Sequence, residues 1–405
     1  MIQHFFYGNG GTGEMQTFHQ LWLPGKILYG YGSFKEAGRQ AAALGRKALI
    51  VSDSVMDRMG QVAELERMLA EASVASAKYA EVNSEPTDRH VREALDICRN
   101  EKCDVIVALG GGSPIDTAKA VAVMMTNEGF IGDYIKRPIA NAPLPLVAIP
   151  TTAGTGSEVT RVTVITDTAT EVKMMIAKPE LVPAVAIVDP ELTLSCPPHV
   201  TAATGIDALC HAMEAYISRR AHPVTDMYAL KAVELLAGYL RRVYKDGSDR
   251  EARGKVSLGA MLAGAAFSNA SVTLIHGMSR PIGALFHVPH GVSNAMLLPA
   301  VFEFTKEAAL PRFADLAVIF RPDLKDASDA EKADALIREL KSLCHELNIP
   351  NLAGWGIDRS EFYERIPKMC SDALASGSPD NNPRVPTAEE IGELYKICYD
   401  YNYQA

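Results

Sequence analysis

Two ionisable residues stand one helical turn apart in the segment Gly205–Tyr216, and their types suit metal coordination. Asp207 and His211 are four residues apart in an alanine-rich stretch, so on a helix both side chains leave the same face. A carboxylate and an imidazole placed this way supply half of a divalent-metal site. An isolated pair of this kind is more often exposed or hydrogen-bonded than part of a ligand set. The other ligands must therefore come from later in the chain.

Two later histidines stand beside glycines and could complete such a site. His276 is expected at the end of a long helix of small residues, and His290 at the entry of the next helix. A lone histidine at an apolar helix end is more often a core residue than a ligand. Taken with the earlier pair, however, three imidazoles and one carboxylate suit Fe(II) or Zn(II). His287 competes with His290, but Gly291 leaves the side of His290 less crowded.

The elements that would position these side chains change character along the chain. In the first half, short apolar runs such as 47–52, 104–109 and 146–149 alternate with helical segments, which predicts βαβ units on a parallel sheet. Beyond about residue 194, periodic Ala, Leu and Met predict helices alone. We therefore expect an α/β domain over residues 1–192 and an all-helical domain over residues 193–405, with a cleft between them.

A glycine-rich loop leaves the predicted strand 104–109, and its residues favour phosphate binding. Three glycines let the backbone come close to a ligand, and the following helix start offers free N–H groups and partial positive charge. Ser113 is expected to cap that helix, and Asp116 to complete a capping box. A tight turn is the simpler alternative, and the run is not G-x-G-x-x-G. The segment reads Gly110-Gly111-Gly112-Ser113-Pro114-Ile115-Asp116.

A second loop of small polar residues follows the predicted strand 146–149. Open α/β sheets bind ligands at the carboxyl ends of their strands, which is where this loop lies. A solvated turn is the alternative explanation. The residues with side-chain donors are Thr151, Thr152, Thr155 and Ser157. A hairpin over 161–166 and 171–176 is predicted to follow.

Composition excludes some classes of partner. The formal net charge of −9 argues against nucleic acid or an anionic membrane as the main partner. No run of eighteen apolar residues appears, so no membrane span is expected. Seven scattered cysteines without a C-x-x-C motif suit a reducing cytoplasm. The glycine-rich stretch Met1–Gly13 is interpreted as a flexible leader rather than a signal peptide.

The motifs taken together resemble those of the iron-containing, group III alcohol dehydrogenases, from about Phe18 to the C-terminus. The resemblance implies an N-terminal nucleotide-binding α/β domain with a parallel sheet, an all-α C-terminal domain and a metal between them, as in dehydroquinate synthase-like proteins. It rests on five segments in order: Gly110–Asp116, Pro150–Glu158, Gly205–Tyr216, His276-Gly277 and Pro289–Gly291.

The resemblance also implies roles for single residues. The metal ligands would be Asp207, His211, His276 and His290, with Fe(II) favoured and Zn(II) possible. Lys173 matches a lysine near the nicotinamide ribose; without the resemblance it would be interpreted as a surface lysine.

The choice of dinucleotide can be argued from Asp53, at the end of the second predicted strand. A carboxylate there can accept hydrogen bonds from the adenosine ribose and would repel a 2′-phosphate, which favours NAD over NADP. A helix-capping aspartate is the alternative interpretation, and the resemblance favours the role in cofactor binding.

The chain departs from the family at Arg280. Many members carry a second histidine four residues after the third ligand, and here that position is an arginine. A guanidinium cannot exchange protons near neutral pH. Either the alcohol proton travels by another route, or Arg280 contacts an anionic group on the substrate or the cofactor.

The expected function is therefore hydride transfer between NAD(H) and a small primary alcohol or its aldehyde or ketone, in a cytoplasmic homo-oligomer. Alternatives are an oxidoreductase for a substrate with an anionic group, a glycerol-dehydrogenase-like polyol enzyme, a dehydroquinate-synthase-like lyase, and a non-enzymatic nucleotide-binding protein. Phe267, Phe286 and His287 are candidates for the substrate-pocket wall.

Overall fold

The computed structural model describes residues 18–404 and has a sheet-containing first half and a helical second half. The predicted leader Met1–Gly13 lies outside the described residues. The strands are β1 (Lys26–Tyr29), β2 (Lys47–Val51), β3 (Ala75–Tyr79), β4 (Val105–Gly110), β5 (Leu146–Pro150), β6 (Val162–Asp167), β7 (Val172–Ala177) and β8 (Val185–Val188). Six of them form a parallel sheet in the order β1-β8-β5-β4-β2-β3, and β6 and β7 form the predicted antiparallel hairpin.

The strand order places the carboxyl ends of β2, β4 and β5 side by side. β4 lies between β2 and β5, with Val51 opposite Ala108 and Gly110 opposite Pro150. The chain runs from β2 outward to β3 and then returns past β2 to β4, so the strand order reverses between β2 and β4. Ligands of open α/β sheets bind at such a reversal, beyond the carboxyl ends of the strands. The loops after β2, β4 and β5 therefore share one edge.

Helices cover both faces of this sheet, as a parallel sheet requires. Side chains of β4 alternate between two cores: Val105 and Val107 pack with α1 and α3, while Ile106 and Ala108 pack with α4 and α5. The helices of this half are α1 (Ala37–Ala42), α2 (Ser54–Arg58), α3 (Gln61–Glu71), α4 (Asp88–Asn100) and α5 (Gly112–Met124).

The second half contains helices and no strand among its described residues, which confirms the predicted fold class. Its helices are α6 (Pro198–Ile217), α7 (Pro223–Lys245), α8 (Arg250–Ala270), α9 (Leu274–Phe286), α10 (His290–Thr305), α11 (Leu310–Phe320), α12 (Asp329–Glu346), α13 (Arg359–Ala375) and α14 (Ala388–Tyr399). The last strand ends at Val188 and α6 begins at Pro198, so the division at 192/193 falls between them and stays a prediction.

One predicted helix is interrupted where the sequence suggested continuity. His276 does not end the long small-residue helix, because α8 stops at Ala270 and α9 begins at Leu274. Ser271 has a φ of 70°, which leaves the helical region, and the two axes meet at 103°. This break turns the start of α9 back toward α6, and so places His276 near the Asp207 face of that helix.

The two halves meet at a contact between glycine backbones. A Cβ added to Gly156, in the loop after β5, would lie 2.6 Å from the Cα of Gly264 on α8. Any larger residue at either position would push the halves apart. Within residues 18–404, no single helix is long and apolar enough to cross a bilayer, and only the bent pair α8 and α9 meets that test together.

Candidate active site

Four side chains from three helices converge at the inner end of a cavity between the halves. Asp207 and His211 lie on α6, His276 lies in the first turn of α9, and His290 is the first residue of α10. One potential ligand atom from each lies within 4.8 Å of all the others. Asp207 Oδ1 is 3.9, 3.6 and 3.8 Å from the Nε2 atoms of His211, His276 and His290. The structure thus assembles all four predicted ligands.

The arrangement fits a divalent transition metal. Bonds of about 2.0–2.2 Å to tetrahedral nitrogen and oxygen ligands imply ligand–ligand separations of about 3.4 Å. The observed separations of 3.6–3.9 Å from Asp207 are only slightly wider. The side chains of Asp207, His211 and His276 are buried, while that of His290 is 28% exposed toward the cavity. One side of the cluster therefore faces space that a small molecule can enter.

Close backbone packing brings His290 to the cluster. A Cβ at Gly291 would lie 2.5 Å from the carbonyl oxygen of Ala203 and 3.3 Å from Asp207 Cβ. Only glycine lets the start of α10 rest on α6 at this point. The competing candidate His287 is exposed, has a φ of 53° and lies outside the cluster. The structure thus brings His290 rather than His287 beside Asp207, and the role of His290 as a metal ligand stays a prediction.

Glu214 supports the cluster, and the sequence analysis gave it no role. Its buried Oε1 accepts hydrogen bonds from the backbone N–H groups of Thr273 and Ile275 at 3.0 and 2.9 Å. Its Oε2 contacts Nδ1 of His276. The same carboxylate therefore caps α9 and orients the imidazole. Its position seven residues after Asp207 and three after His211 puts it on the same helical face, which was a usable signal.

Asn294 is a second supporting residue that the sequence analysis missed. Its Nδ2 lies 2.7 Å from Asp207 Oδ1, 3.0 Å from His276 Nε2 and 3.2 Å from His290 Nε2. It follows His290 by four residues on α10, the same spacing that relates Asp207 to His211. The amide holds the carboxylate oxygen in place beside the imidazoles. Such outer partners orient ligands in metal sites.

The charges of the cluster compensate one another. Burial raises the pKa of Asp207, but the imidazoles of His211, His290 and His276 outweigh this and hold it below its usual value. Burial lowers the pKa of His211 to about 4, which favours the neutral form that binds metals. Burial also lowers the pKa of His276, yet Glu214 and Asp207 together raise it to about 9. The contact of Nδ1 with the Glu214 carboxylate favours a proton on that nitrogen and leaves Nε2 toward the cluster.

One cavity of about 250 Å³ joins this cluster to the glycine-rich loops. Three of the four proposed ligands form one wall, and the start of α5 forms another. The hairpin β6–β7 closes a third side. The lining of the cavity includes His211, His276, His290, Phe267 and Arg280 from the helical half, and Gly112, Ser113, Asp116, Thr155, Ser157 and Lys173 from the sheet half.

The predicted capping at the first loop is wrong. The helix α5 already begins at Gly112, and Gly111 precedes it without a side-chain cap, so Ser113 lies inside the first turn. Asp116 does not cap the helix; its carboxylate accepts hydrogen bonds from Ser157 Oγ at 2.6 Å and the Val164 N–H at 2.8 Å. Asp116 thereby ties the first loop to the second loop and to the hairpin.

The missing side chain at Gly112 lets the two loops approach each other, and a buried lysine bonds to the second loop. A Cβ on Gly112 would lie 2.8 Å from Cγ2 of Thr155, so the glycine permits the approach. Lys119, on α5, donates to Ser157 Oγ and to Thr160 Oγ1 at 3.0 and 2.9 Å. Burial lowers the pKa of Lys119 to about 8. The sequence analysis did not identify this lysine, which follows Asp116 by three residues.

Five other predicted cofactor residues lie along the same sheet edge but outside the cavity wall. They are Asp53, Gly110, Gly111, Thr151 and Thr152. Asp53 caps α2, because its Oδ1 accepts from the N–H groups of Val55 and Met56 at 2.9 Å. Both predicted uses of Asp53 are compatible with this geometry, since one carboxylate oxygen makes both capping bonds.

The pocket-wall candidates separate into one inside the cavity and two outside it. Phe267 lines the cavity and stacks on His211, with ring centroids 4.2 Å apart. Phe286 packs on Phe362 instead, and His287 is exposed just after the end of α9; neither lines the cavity. Of α9, the cavity lining includes His276 and Arg280 and no later residue.

Lys173 and Arg280 are buried groups of the cavity wall. Lys173, on β7, is 5% exposed and pairs with Glu85 at 3.2 Å, so it is not the surface lysine that its sequence context alone indicates. Arg280 follows His276 by one turn of α9, and its Nη1 donates to Ser378 Oγ at 2.9 Å. The departure from the family pattern therefore faces the same space as the metal cluster.

Comparison with known proteins identifies one family over most of the chain, in both halves. Residues 24–190 match the family model described as iron-containing alcohol dehydrogenase, and residues 201–399 match the C-terminal model of that family. The chain is 38% identical over 392 residues to a choline dehydrogenase of Bacillus subtilis, covering 96% of each. It is 36% identical over 383 residues to the NAD-dependent methanol dehydrogenase of Bacillus methanolicus, covering 93% of this chain and 98% of that one.

A solved structure agrees with these relatives. The crystal structure of a 1,3-propanediol oxidoreductase superposes with a TM-score of 0.91 at 37% identity, over 94% of this chain and 100% of that one. Both halves of the chain and both walls of the cavity are included in these matches. The chain therefore belongs to the iron-containing alcohol dehydrogenase family.

Proposed function

We propose that the protein is an NAD(H)-linked, metal-dependent alcohol dehydrogenase that interconverts a small primary alcohol and its aldehyde or ketone. One observation carries the proposal: a single cavity is lined both by the buried Asp/His cluster and by the N-terminus of α5. Hydride transfer needs the nicotinamide and the alcohol carbon in contact, and a shared cavity permits that. The names of the relatives, which include alcohol dehydrogenases and an NAD-dependent enzyme, support the same activity.

The proposed metal ligands are Asp207, His211, His276 and His290. A divalent ion held there would act as a Lewis acid on the substrate oxygen. The chain's own part is to keep this donor set fixed: Glu214 holds His276 through Nδ1, and Asn294 holds the Asp207 carboxylate. The protein also excludes water from the inner face, since three of the four side chains are buried.

The proposed cofactor site runs along the sheet edge into the cavity. The free N–H groups at the start of α5 would bind the pyrophosphate, as helix N-termini do for anions. Lys173 would contact the nicotinamide ribose. A carboxylate at Asp53 favours NAD over NADP because it repels a 2′-phosphate. The residues proposed to contact the dinucleotide are Asp53, Gly110, Gly111, Gly112, Ser113, Asp116, Thr151, Thr152, Thr155, Ser157 and Lys173.

Four finer points of the proposal concern the metal, the location, the oligomeric state and the class of partner. Iron(II) is preferred over zinc because of the family's name, although imidazole and carboxylate accept both metals. A cytoplasmic location suits the seven free cysteines of the described residues, six of them buried. A homo-oligomer is proposed from the resemblance to the family. The partner is a small molecule rather than nucleic acid or membrane, in keeping with the net charge of −9.

Metal reconstitution tests the proposal directly. The purified protein, stripped by a chelator and reloaded with Fe(II) or Zn(II), should form NADH with primary alcohols and consume NADH with aldehydes, as followed by absorbance at 340 nm. The stripped sample should retain less than about a hundredth of that rate, because the substrate oxygen loses its Lewis acid. Full activity in a sample shown by elemental analysis to lack metal would exclude this mechanism.

A further inference from the structure

The cavity wall carries more positive charge than its acidic residues neutralise. The ionisable side chains outside the metal cluster are four cations (Arg161, Lys173, Arg220 and Arg280) and two carboxylates (Glu85 and Asp116). Glu85 pairs with Lys173, and Asp116 is hydrogen-bonded within the loops. Among residues 18–404, no carboxylate oxygen lies within 4.0 Å of the three guanidinium groups. The cavity therefore presents unneutralised cations to whatever enters it.

Arg280 is the most deeply placed of these cations. It is 8% exposed, and its hydrogen-bond partners are the neutral Ser378 Oγ at 2.9 Å and Met175 Sδ at 3.2 Å. Burial lowers its pKa to about 10, and only the distant Glu214 opposes this. A buried cation without a counter-ion is costly to keep in a folded protein. Its retention at the cavity wall is accounted for if a ligand supplies the missing negative charge.

The position of Arg280 relates it to the reacting centre. It follows His276 by four residues, so both side chains leave the same face of α9 one turn apart. A molecule whose oxygen lies at the cluster can therefore extend along this face and place a second group beside the guanidinium. The guanidinium presents a planar fork of donors that matches carboxylate, sulfonate and phosphonate oxygens.

Arg161 and Arg220 extend the positive charge to the cavity mouth. Arg161 is half-buried, with Nε donating to the Ser268 carbonyl at 3.1 Å, and Arg220 is exposed. The two repel each other, since Arg220 adds to the effect of burial in lowering the pKa of Arg161. Like charges lining one entrance raise the local concentration and association rate of an anion. The path into the site therefore favours the same kind of ligand as Arg280.

We propose that the substrate is a short aldehyde, or the corresponding primary alcohol, with an anionic group at its far end that binds Arg280. This inference rests on the proposed alcohol dehydrogenase activity and narrows its substrate class. In the reducing direction, hydride leaves C4 of NADH for the carbonyl carbon, and one proton from solvent goes to the oxygen, giving NAD⁺ and the primary alcohol. The anionic group takes no part in bond changes; it fixes the orientation of the carbonyl.

The size of the cavity limits the substrate. Its volume of about 250 Å³ must also hold the nicotinamide ring. This leaves room for a chain of only about two to four carbons. The names of the relatives leave substrate charge open, since choline is a cation while methanol is neutral. In this chain, the guanidinium groups without a carboxylate partner favour a substrate that carries negative charge.

The test compares charged and neutral aldehydes on the metal-loaded protein with NADH. We expect kcat/KM for the preferred member of 4-oxobutanoate, 2-oxoethanesulfonate and 2-oxoethylphosphonate to exceed that for butanal by about 100-fold, as for a charged hydrogen-bonded pair. The member with the highest kcat/KM identifies the anionic group. Equal or higher kcat/KM for butanal would overturn the inference while leaving the dehydrogenase intact.

Variants assign the preference to Arg280. Arg280→Met should lower the ratio of charged to neutral kcat/KM at least about tenfold, while Arg280→Lys should restore part of it because a point charge remains. Arg39→Met, at a 72% exposed position on α1, is the matched control and should leave the ratio unchanged. Metal content and thermal unfolding show whether each variant is folded. If Arg280→Met does not fold, Arg280→Lys decides: a charged-to-neutral ratio below that of the wild type supports the contact with Arg280, and an unchanged ratio would overturn it.

Two further outcomes separate this inference from its competitors. A rise in the KM for NADH in Arg280→Met, with an unchanged aldehyde ratio, would assign the guanidinium to the cofactor and overturn the inference. If the metal-loaded protein oxidises NADH with none of the aldehydes, butanal included, the proposed function itself would be refuted, and the inference with it. The two failures are distinguishable because butanal reports on the activity without using the anionic contact.

Discussion

The two walls of the cavity are built on different physical principles. The metal-side wall consists of ionisable side chains from three helices, buried and balanced against one another. The nucleotide-side wall consists of backbone and small side chains at the ends of β4 and β5. On the first wall, removal of a single charge unbalances the others. On the second, steric clearance decides the outcome. Substitutions of similar size should therefore be severe on one wall and mild on the other.

The largest effect is expected from Asp207→Asn, which changes almost no volume. The substitution removes the only anionic ligand from a buried group of three imidazoles, so the metal should be lost and kcat/KM should fall about a thousandfold or more. Elemental analysis and NADH turnover measure both. Asp57→Asn, at a partly exposed residue on α2, serves as the control. Retention of metal and activity in Asp207→Asn would contradict the charge-balanced description of this wall.

Glu214→Gln tests whether the support of the metal-side wall matters as much as its ligands. The substitution keeps the shape but removes the charge that orients His276 and caps α9. Metal affinity should fall about 10–100-fold, as for outer partners of metal-binding histidines. Competition with a chelator of known affinity measures this loss. An affinity equal to that of the wild type would show that the Oε2 contact to His276 is dispensable.

Gly112→Ala tests the clearance on the nucleotide-side wall. The new methyl group would lie 2.8 Å from Thr155 Cγ2, so the second loop must shift and the KM for NADH should rise about tenfold. Thr155→Ser removes that methyl group, and the double variant should recover part of the loss. Steady-state kinetics with varied NADH at saturating aldehyde measure this KM in each variant. Additive effects of the two substitutions would exclude a steric origin.

The smallest effect is expected at Asp53, at the outer end of the nucleotide-side wall. Asp53→Asn keeps an α2 cap but removes the charge, and should narrow the preference for NAD over NADP about fivefold. Asp53→Gly loses both cap and charge and should narrow it similarly, at some cost in stability. The ratio of kcat/KM for the two cofactors measures the effect. An unchanged ratio in both variants would show that Asp53 caps α2 but does not select the cofactor.

The sequence predicted local patterns better than long-range contacts. The strands β2, β4 and β5, the hairpin and the all-helical character of the second half follow from period and composition, and the structure confirms them. The four-residue spacing of Asp207 and His211 was also sufficient to predict their common face. The proximity of His276 and His290 followed only from the ordered motifs and their resemblance to a family.

What the sequence did not reveal depends on contacts between distant segments. The break before α9 exists because a carboxylate 59 residues earlier accepts the Thr273 N–H, and no local signal near Thr273 encodes that bond. The interpretation of Asp116 as a cap failed for the same reason, since its partners lie 41 and 48 residues later. Glu214 and Asn294 stand three and four residues after His211 and His290, so helical spacing does carry a signal for both.

The contact between Gly156 and Gly264 constrains how the protein can open. At these glycines the two backbones touch with no side chain between them, so they cannot slide across each other. We expect any opening of the cavity to pivot near this contact rather than to shear across it. A methyl group at position 264 should widen this contact, and it should alter the rate of cofactor release more than the rate of hydride transfer.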